Sequence, residues 1–131
     1  MRDIGELAER LRAFAMARDW EQFHTPKNLA MALAGEVGEL LAEFQWLTPE
    51  ESAHIMADSQ AARQVRAEIA DVFIYLTRLA DVLGVDLLDA AGDKLAEGEL
   101  RYDVATYRGS RRKAPAYPTQ GTRRTGDKSA T

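Results

Sequence analysis

Two short acidic motifs are the residues of this sequence best suited to do chemistry. The first is Glu36-x-x-Glu39 and the second is Glu68-x-x-Asp71. Residues three apart are neighbours on one face of a helix, so each motif directs two carboxylates into the same small volume. Each motif also lies at the margin of an apolar helical stripe. If the two helices pack with these margins facing each other, four carboxylates converge.

Four converging carboxylates repel one another and lose hydration, so a cation is needed to keep them ionised. Mg²⁺ and Mn²⁺ prefer carboxylate and water oxygens, and Mg²⁺ commonly completes its shell with substrate phosphates. The motifs therefore predict a Mg²⁺ site, with Mn²⁺ as the alternative metal. The competing interpretation is an ordinary solvated helix face, because exposed acid-x-x-acid pairs are common on helices.

The distribution of charge supports a metal between the protein and any anionic ligand. The net charge of the whole chain is -4. From residue 108 onward there are seven lysines and arginines and one acid, whereas residues 1–107 carry ten basic and twenty acidic side chains. A body this acidic is a poor phosphate binder on its own. We therefore expect a cation to mediate the binding of a phosphate ligand.

Composition excludes several classes of site. The 131 residues amount to one domain, and the chain has no cysteine, so disulfides, thiolate metal sites and cysteine nucleophiles are excluded. Two histidines cannot form a zinc site that needs three imidazoles. No apolar run approaches the 18 or so residues of a membrane span, and the N-terminus lacks the apolar core of a secretory signal. We expect a cytoplasmic protein that does not contact membranes.

The elements that must position the acids are helices, because apolar residues recur at helical spacing and strand-like alternation is absent. The pattern predicts an all-α bundle of four main helices and one short helix. A proline after Thr25, a capping box at Thr48 and a stop at Gly84 mark helix ends. The predicted helices cover residues 4–18, 26–46, a short stretch from 49, 59–83 and 87–101.

Two further expectations concern packing. The third long helix is predicted to bury an apolar face made of Val65, Ile69, Val72, Phe73, Leu76, Ala80 and Leu83. Gly35 and Gly38 flank Glu36 inside a helix, where glycine costs about 1 kcal/mol relative to alanine. We interpret these glycines as a sign of close helix approach or ligand access.

The domain is predicted to span residues 1–108, followed by a basic tail, residues 109–131, that is predicted to be disordered because it has almost nothing to bury. The tail could serve as a nucleic-acid arm. It lacks interleaved aromatic residues beyond Tyr117, so nucleic acid is the less favoured partner.

A larger set of motifs accompanies the acids: RDWEQFH at 18–24, PKNL at 26–29, GEVGEL at 35–40, FQW at 44–46, EIADVFIYL at 68–76, Lys94 and Arg101-Tyr102. Together, over about residues 5–113, they resemble the MazG-like all-α nucleoside triphosphate pyrophosphatases, and most closely the dCTP pyrophosphatase branch. The resemblance implies a Mg²⁺-dependent enzyme that cleaves a nucleoside triphosphate, dCTP or a modified dCTP, between the α and β phosphates. It also implies nucleotide-pool housecleaning and a homo-oligomer, dimer or tetramer, with the site near a subunit interface.

The resemblance assigns roles to nine residues. It implies that the metal-binding and catalytic acids are Glu36, Glu39, Glu68 and Asp71. It implies a base and sugar pocket formed by Trp20, His24 and Trp46, and phosphate contacts from Lys94 and Tyr102. Without it, the two tryptophans would more often be core or interface residues, His24 could cap a helix, and Lys94 could be a solvated lysine.

One departure from the family pattern concerns the fourth main helix. Gly98 stands where the family usually has asparagine, and Tyr102 is followed by Asp103 instead of proline. Glycine offers no amide to a metal or phosphate. The alternative function is therefore a catalytically weak or silent nucleotide-binding helical oligomer. Within the enzyme class, a phosphoribosyl-ATP pyrophosphatase would use the same arrangement of acids, but the DWEQFH motif favours the housecleaning enzyme.

Overall fold

The computed structural model describes residues 1–116, and helices account for most of them. The described residues contain no strand, which confirms the all-α prediction. No helix in this part of the chain combines the length and apolar character needed to cross a membrane. The helices are α1 (Ile4–Met16), α2 (Pro26–Ala42), α3 (Pro49–Ala53), α4 (Ser59–Leu83), α5 (Leu87–Arg101) and α6 (Val104–Tyr107), with single 3₁₀ turns at Glu21–Phe23 and Ile55–Ala57.

Side-chain caps set the starts of these helices where the sequence predicts them. The Thr25 side chain accepts a hydrogen bond from the backbone N–H of Asn28 at the start of α2. Thr48 and Glu51 form the predicted capping box of α3. Asp58 accepts hydrogen bonds from two backbone N–H groups at the start of α4, and Gly84 ends that helix at φ +67°. Helices α1 and α2 end earlier than predicted, at Met16 and Ala42.

A tight turn after α1 brings two predicted site residues back alongside that helix. Asp19 adopts a left-handed conformation, φ +55°. The next backbone N–H, that of Trp20, donates to the carbonyl of Ala15 at 3.0 Å. The Trp20 ring then meets the Phe14 ring edge to face, with 5.7 Å between centroids. The 3₁₀ turn that follows carries the chain on to His24.

The chain divides into two compact units, residues 1–88 and a second that begins at Asp89. In the first unit, α4 packs along α2 and against α1. Its buried apolar residues are Leu7, Ala15, Leu29, Val65 and Ala80.

In the second unit, Arg101 donates hydrogen bonds to the carbonyls of Ala114 at 3.1 Å and Pro115 at 3.2 Å. Ala114 is buried. The predicted disordered tail therefore has its first residues, 109–116, within the described structure. The rest of it, residues 117–131, lies outside the described residues, and the boundary at residue 108 stays a prediction.

The predicted apolar face of α4 is wrong in part. Val65 and Ala80 are buried, but Ile69, Phe73 and Leu76 are exposed. The buried side of α4 instead includes three polar residues, Glu68, Thr77 and Arg78. Helical periodicity identifies a stripe but not which of two adjacent stripes meets the neighbouring helices. We call Ile69, Phe73 and Leu76 the exposed stripe of α4.

The space around the two glycines beside Glu36 also differs from one expectation. A Cβ atom added at Gly35 or Gly38 would meet nothing within 4 Å. Close approach of a neighbouring helix in this chain is therefore not the reason for either glycine. Ligand access, the other interpretation, stays a prediction.

Alanine substitutions at two glycines should change stability in opposite directions. Gly38→Ala should stabilise the protein by about 1 kcal/mol, because Gly38 lies in a helix with open space around it. Gly84→Ala should destabilise it by about 1–2 kcal/mol, because a left-handed backbone strains any residue with a Cβ. Urea unfolding midpoints at constant m-value measure both. A loss of stability at Gly38 would contradict the open space seen there.

Candidate active site

Three of the four predicted acids meet where α2 packs on α4. Glu36 and Glu39 on α2 and Glu68 on α4 each place one carboxylate oxygen within 4.8 Å of the others. Glu68 is only 6 % exposed, whereas Glu36 is half-buried and Glu39 is exposed. Asp71 is not in this group. It lies exposed one turn beyond Glu68, so we call the first three residues the acid cluster and treat Asp71 as its neighbour.

The acids repel one another strongly enough to affect protonation. The pKa of Glu36 is raised above its ordinary value, first by burial and then by the charges of Glu39, Asp71 and Glu68. The influence of Asp71 shows that its charge reaches the acid cluster. The ionised form of Glu36 is therefore disfavoured in the folded chain, and a cation bound among these acids would favour it.

Glu68 has one satisfied carboxylate oxygen and one that lacks a partner. Its Oε1 accepts a hydrogen bond from Gln64 Nε2 at 2.5 Å. Its Oε2 is buried, and nothing among residues 1–116 donates a hydrogen bond to it. A buried oxygen without a donor is costly, and a metal ion bound between the acids would be its partner. The all-carboxylate donor set fits a hard divalent cation such as Mg²⁺ or Mn²⁺.

Sequence reasoning missed Gln64 as part of this arrangement. It lies four residues before Glu68 on the same face of α4, so helical spacing was the available signal. Gln64 holds the Glu68 carboxylate in one orientation. Mutation of a residue that hydrogen-bonds to a metal ligand typically changes the affinity for the metal.

A small cavity of about 90 Å³ adjoins Trp20 and His24. The two rings lie 6.3 Å apart between centroids. Trp20 is 43 % exposed, so part of its ring is open to a ligand. The volume is below that of a typical whole-ligand pocket, so the cavity admits part of a ligand. It is lined by Leu11, Phe14, Trp20, His24, Ile74, Tyr75 and Arg78.

The two acids of α4, Glu68 and Asp71, lie on the same stretch of that helix as residues that line the cavity. Tyr75 follows Asp71 by four residues, so the two share a helix face. Sequence reasoning did not assign Tyr75 or Arg78 to the site. Arg78 is a charged residue at the C-terminal end of an apolar helix, a pattern that marks either a surface residue or a buried ion pair. Only the burial of Arg78 in the structure identifies it as a member of a buried ion pair.

The other predicted binding residues are Trp46 in the first unit and Lys94 and Tyr102 in the second. Trp46 is 86 % exposed in the turn after α2 and does not line the cavity. In the second unit, Lys94 forms an ion pair with Glu97 at 2.6 Å. The Tyr102 ring meets that of Tyr107 edge to face at 5.0 Å. Ligand contacts by Trp46, Lys94 and Tyr102 stay predictions.

The fold and site together define an all-helical protein with a carboxylate cluster shared by two packed helices. The MazG-like family model matches residues 31–113, and the chain belongs to this family. It is 44 % identical over 97 residues to dCTP pyrophosphatase 1 of Bos taurus, which is 74 % of this chain and 57 % of that protein. It is 44 % identical over 105 residues to dCTP pyrophosphatase 1 of Homo sapiens, 80 % of this chain and 62 % of that protein.

A solved structure extends the comparison. The fold resembles a pyrophosphatase from Archaeoglobus fulgidus with a TM-score of 0.70 and 39 % sequence identity. The match covers 76 % of this chain and 91 % of that one. By contrast, the chain spans about three-fifths of the length of the dCTP pyrophosphatases that it matches.

Neutralising Glu36 should stabilise the metal-free protein. Because the folded state raises the pKa of Glu36 above 4.5, ionisation of this group destabilises the fold once the pH exceeds the raised value. Glu36→Gln should therefore raise the melting temperature of the metal-free protein at pH 7. The gain should vanish below the ordinary pKa, where Glu36 is protonated in both states.

The same variant should lose most of the stabilisation that Mg²⁺ gives the wild type. Glu43→Gln is the matched control, because Glu43 caps the C-terminal end of α2 and is not in the acid cluster. Thermal melts with and without Mg²⁺ measure both effects. Equal behaviour of the two variants would contradict a metal site at the acid cluster.

Proposed function

We propose that this protein is a Mg²⁺-dependent nucleoside triphosphate pyrophosphohydrolase that converts dCTP, or a modified dCTP, to the monophosphate and pyrophosphate. The observation that carries the proposal is the acid cluster with its buried, unpartnered Glu68 oxygen. Membership of the MazG-like family and similarity to two dCTP pyrophosphatases support the same activity. The physiological role that follows is removal of unwanted nucleotides from the pool, in the cytoplasm.

The proposed metal ligands are Glu36, Glu39, Glu68 and Asp71. Bound Mg²⁺, or Mn²⁺ in its place, would neutralise the triphosphate and promote ionisation of water. The chain's own task is to hold these carboxylates in place: Gln64 fixes Glu68, and packing of α4 on α2 sets the separation from Glu36. One of the glutamates would orient or deprotonate the attacking water.

The proposed base and sugar pocket is the cavity beside Trp20 and His24. The exposed part of the Trp20 ring offers an apolar face on which a base could stack. Trp46, almost fully exposed, is free to cover a base from another direction. Lys94 and Tyr102 are proposed to approach the phosphates, and Lys94 would then exchange its ion pair with Glu97 for the substrate.

Activity and the site are tested together with a panel of triphosphates. Purified protein should release pyrophosphate from dCTP only when Mg²⁺ or Mn²⁺ is present. Glu39→Ala should reduce the rate at least about 100-fold, the usual scale for loss of a residue that supports transition-state charge. Glu39 is exposed, so this variant should remain folded. Mass detection of dCMP and pyrophosphate separates this cleavage from release of single phosphates.

The alternative, a silent nucleotide-binding oligomer, rests on Gly98, which places no side-chain amide on α5. It predicts thermal stabilisation by nucleotide and Mg²⁺ with the nucleotide left intact. Turnover above that of the Glu39→Ala variant would exclude it. Absence of turnover across canonical and modified triphosphates would exclude the enzyme.

The exposed stripe of α4 supports the proposed homo-oligomer, a dimer or a tetramer. Ile69 on α4 is 53 % exposed, and Leu41 on α2 is 59 % exposed. A run of large apolar side chains this close to the acids is typical of a surface covered by another copy.

Polar substitution of the stripe should dissociate this oligomer. The double variant Ile69→Gln with Leu76→Gln should shift the mass measured by light scattering to that of one chain, because each buried aliphatic side chain contributes about 1.5–3 kcal/mol. Leu88→Gln, an exposed leucine outside the stripe, is the control and should not change the mass. A wild-type protein that is monomeric at every concentration would refute the oligomer.

A further inference from the structure

The two ring nitrogens of His24 have different environments. The Arg78 Nε–H donates a hydrogen bond to His24 Nδ1 at 3.2 Å. A guanidinium has donors only and stays protonated in proteins, so Nδ1 must be the acceptor. A neutral imidazole carries one proton, and with Nδ1 accepting, that proton lies on Nε2.

Arg78 is itself held from the opposite end of its guanidinium. Its Nη1 donates to Asp81 Oδ2 at 2.8 Å, and Arg78 as a whole is 6 % exposed. Asp81 also accepts two hydrogen bonds from Arg12, at 2.6 and 3.3 Å. These bonds between charged groups are short and directional, so they fix the Arg78 plane. The fixed plane aims Nε at the His24 ring.

The charges around His24 favour its neutral form. Burial lowers the pKa of His24, and the positive charge of Arg78 lowers it further, while Glu21 acts in the opposite direction. Tyr75, from α4, also lines the cavity and is uncharged when protonated. Asp81 faces Arg78, where its charge is shared with Arg12. His24 lines the cavity, and its neutral Nε2–H form offers a hydrogen-bond donor without a positive charge.

We propose that Arg78 is a positioning residue that holds His24 in its Nε2–H tautomer, so that His24 selects a nucleotide through a hydrogen-bond acceptor on its base or sugar. The inference that His24 selects a nucleotide rests on the proposed function, whereas the inference about its tautomer does not. The acceptors in question are ring carbonyls, unprotonated ring nitrogens and sugar oxygens. A ligand that presents only a donor at this point leaves two N–H groups facing each other and is rejected.

The second histidine provides an internal reference for the tautomer. His54 Nδ1 lies 2.8 Å from the backbone carbonyl of Glu50. A carbonyl oxygen can only accept, so His54 Nδ1 must carry a proton. The chain has these two histidines and no others. Neutral His24 and neutral His54 are thus expected to be opposite tautomers in one spectrum.

The first experiment is a long-range ¹H–¹⁵N correlation spectrum of the full-length wild-type protein at pH 7, with His54→Gln used to assign the signals. The expected result for His24 is an unprotonated Nδ1 and a protonated Nε2. A protonated Nδ1, or a doubly protonated ring, would overturn the proposal. This measurement needs no substitution of Arg78, so a variant that fails to fold does not affect it.

Variants separate the hydrogen bond from the charge. Arg78→Lys keeps a cation but places a methylene where Arg78 has Nε, so it should allow both His24 tautomers. Arg10→Gln is the matched control, because Arg10 lies on the same helix as Arg12 but forms its ion pair with Glu6, at 3.0 Å, and the tautomer should stay as in the wild type. A single Nε2–H tautomer in Arg78→Lys would show that Arg78 acts only through its charge, and the proposal would fail.

Kinetics with dCTP and Mg²⁺ test the consequence for binding. Arg78→Lys should raise KM, by up to about tenfold where the released ring loses its hydrogen bond to the ligand altogether, with a smaller change in kcat. Arg10→Gln should leave KM within about twofold of the wild-type value, the usual scale of a surface substitution away from a site. An unchanged KM in Arg78→Lys would overturn the ligand-facing role. If the wild type turns over no triphosphate, the proposed function fails, while the spectrum still decides the tautomer.

Discussion

Mutual repulsion between carboxylates is the interaction on which the rest of this structure depends. Packing of α2 on α4 forces Glu36, Glu39 and Glu68 within 4.8 Å of one another. Nothing inside the acid cluster opposes the repulsion, so contacts elsewhere must hold the two helices together. The buried Leu29 of α2 and Val65 of α4 contribute to this packing, and side-chain caps stabilise the start of each helix separately. Stability lost at one place and recovered at others is the usual signature of a functional site.

Helix α4 serves two structural purposes with two different faces. Its buried face carries Glu68 toward the acids and Arg78 toward the cavity, and each is oriented by a side chain three or four residues away on the same helix. The exposed stripe carries the apolar residues instead. In a soluble single chain, the apolar stripe would normally be buried and the polar residues would be exposed. Polar groups on the buried face fix the geometry of the site, while the apolar stripe is suited to contact with another copy.

The chain covers different shares of the proteins that it resembles. The match to the Archaeoglobus fulgidus pyrophosphatase covers 91 % of that chain, whereas the matches to the two dCTP pyrophosphatases cover 57 % and 62 % of theirs. The family model matches residues 31–113, which include the four predicted acids but neither Trp20 nor His24.

Local signals in the sequence were enough to determine the helices, most of their ends and the pairing of acids within each motif. Thr48 with Glu51, Asp58 and Gly84 act on backbone groups a few residues away, so their effect can be predicted without knowing the fold. The tertiary structure decided the rest. Which stripe of α4 is buried, that Asp71 stays outside the acid cluster, and that Arg78 reaches a histidine 54 residues earlier all depend on how helices pack. A helix directs side chains to every side of its axis, and only packing against a neighbouring helix decides which of these sides is buried.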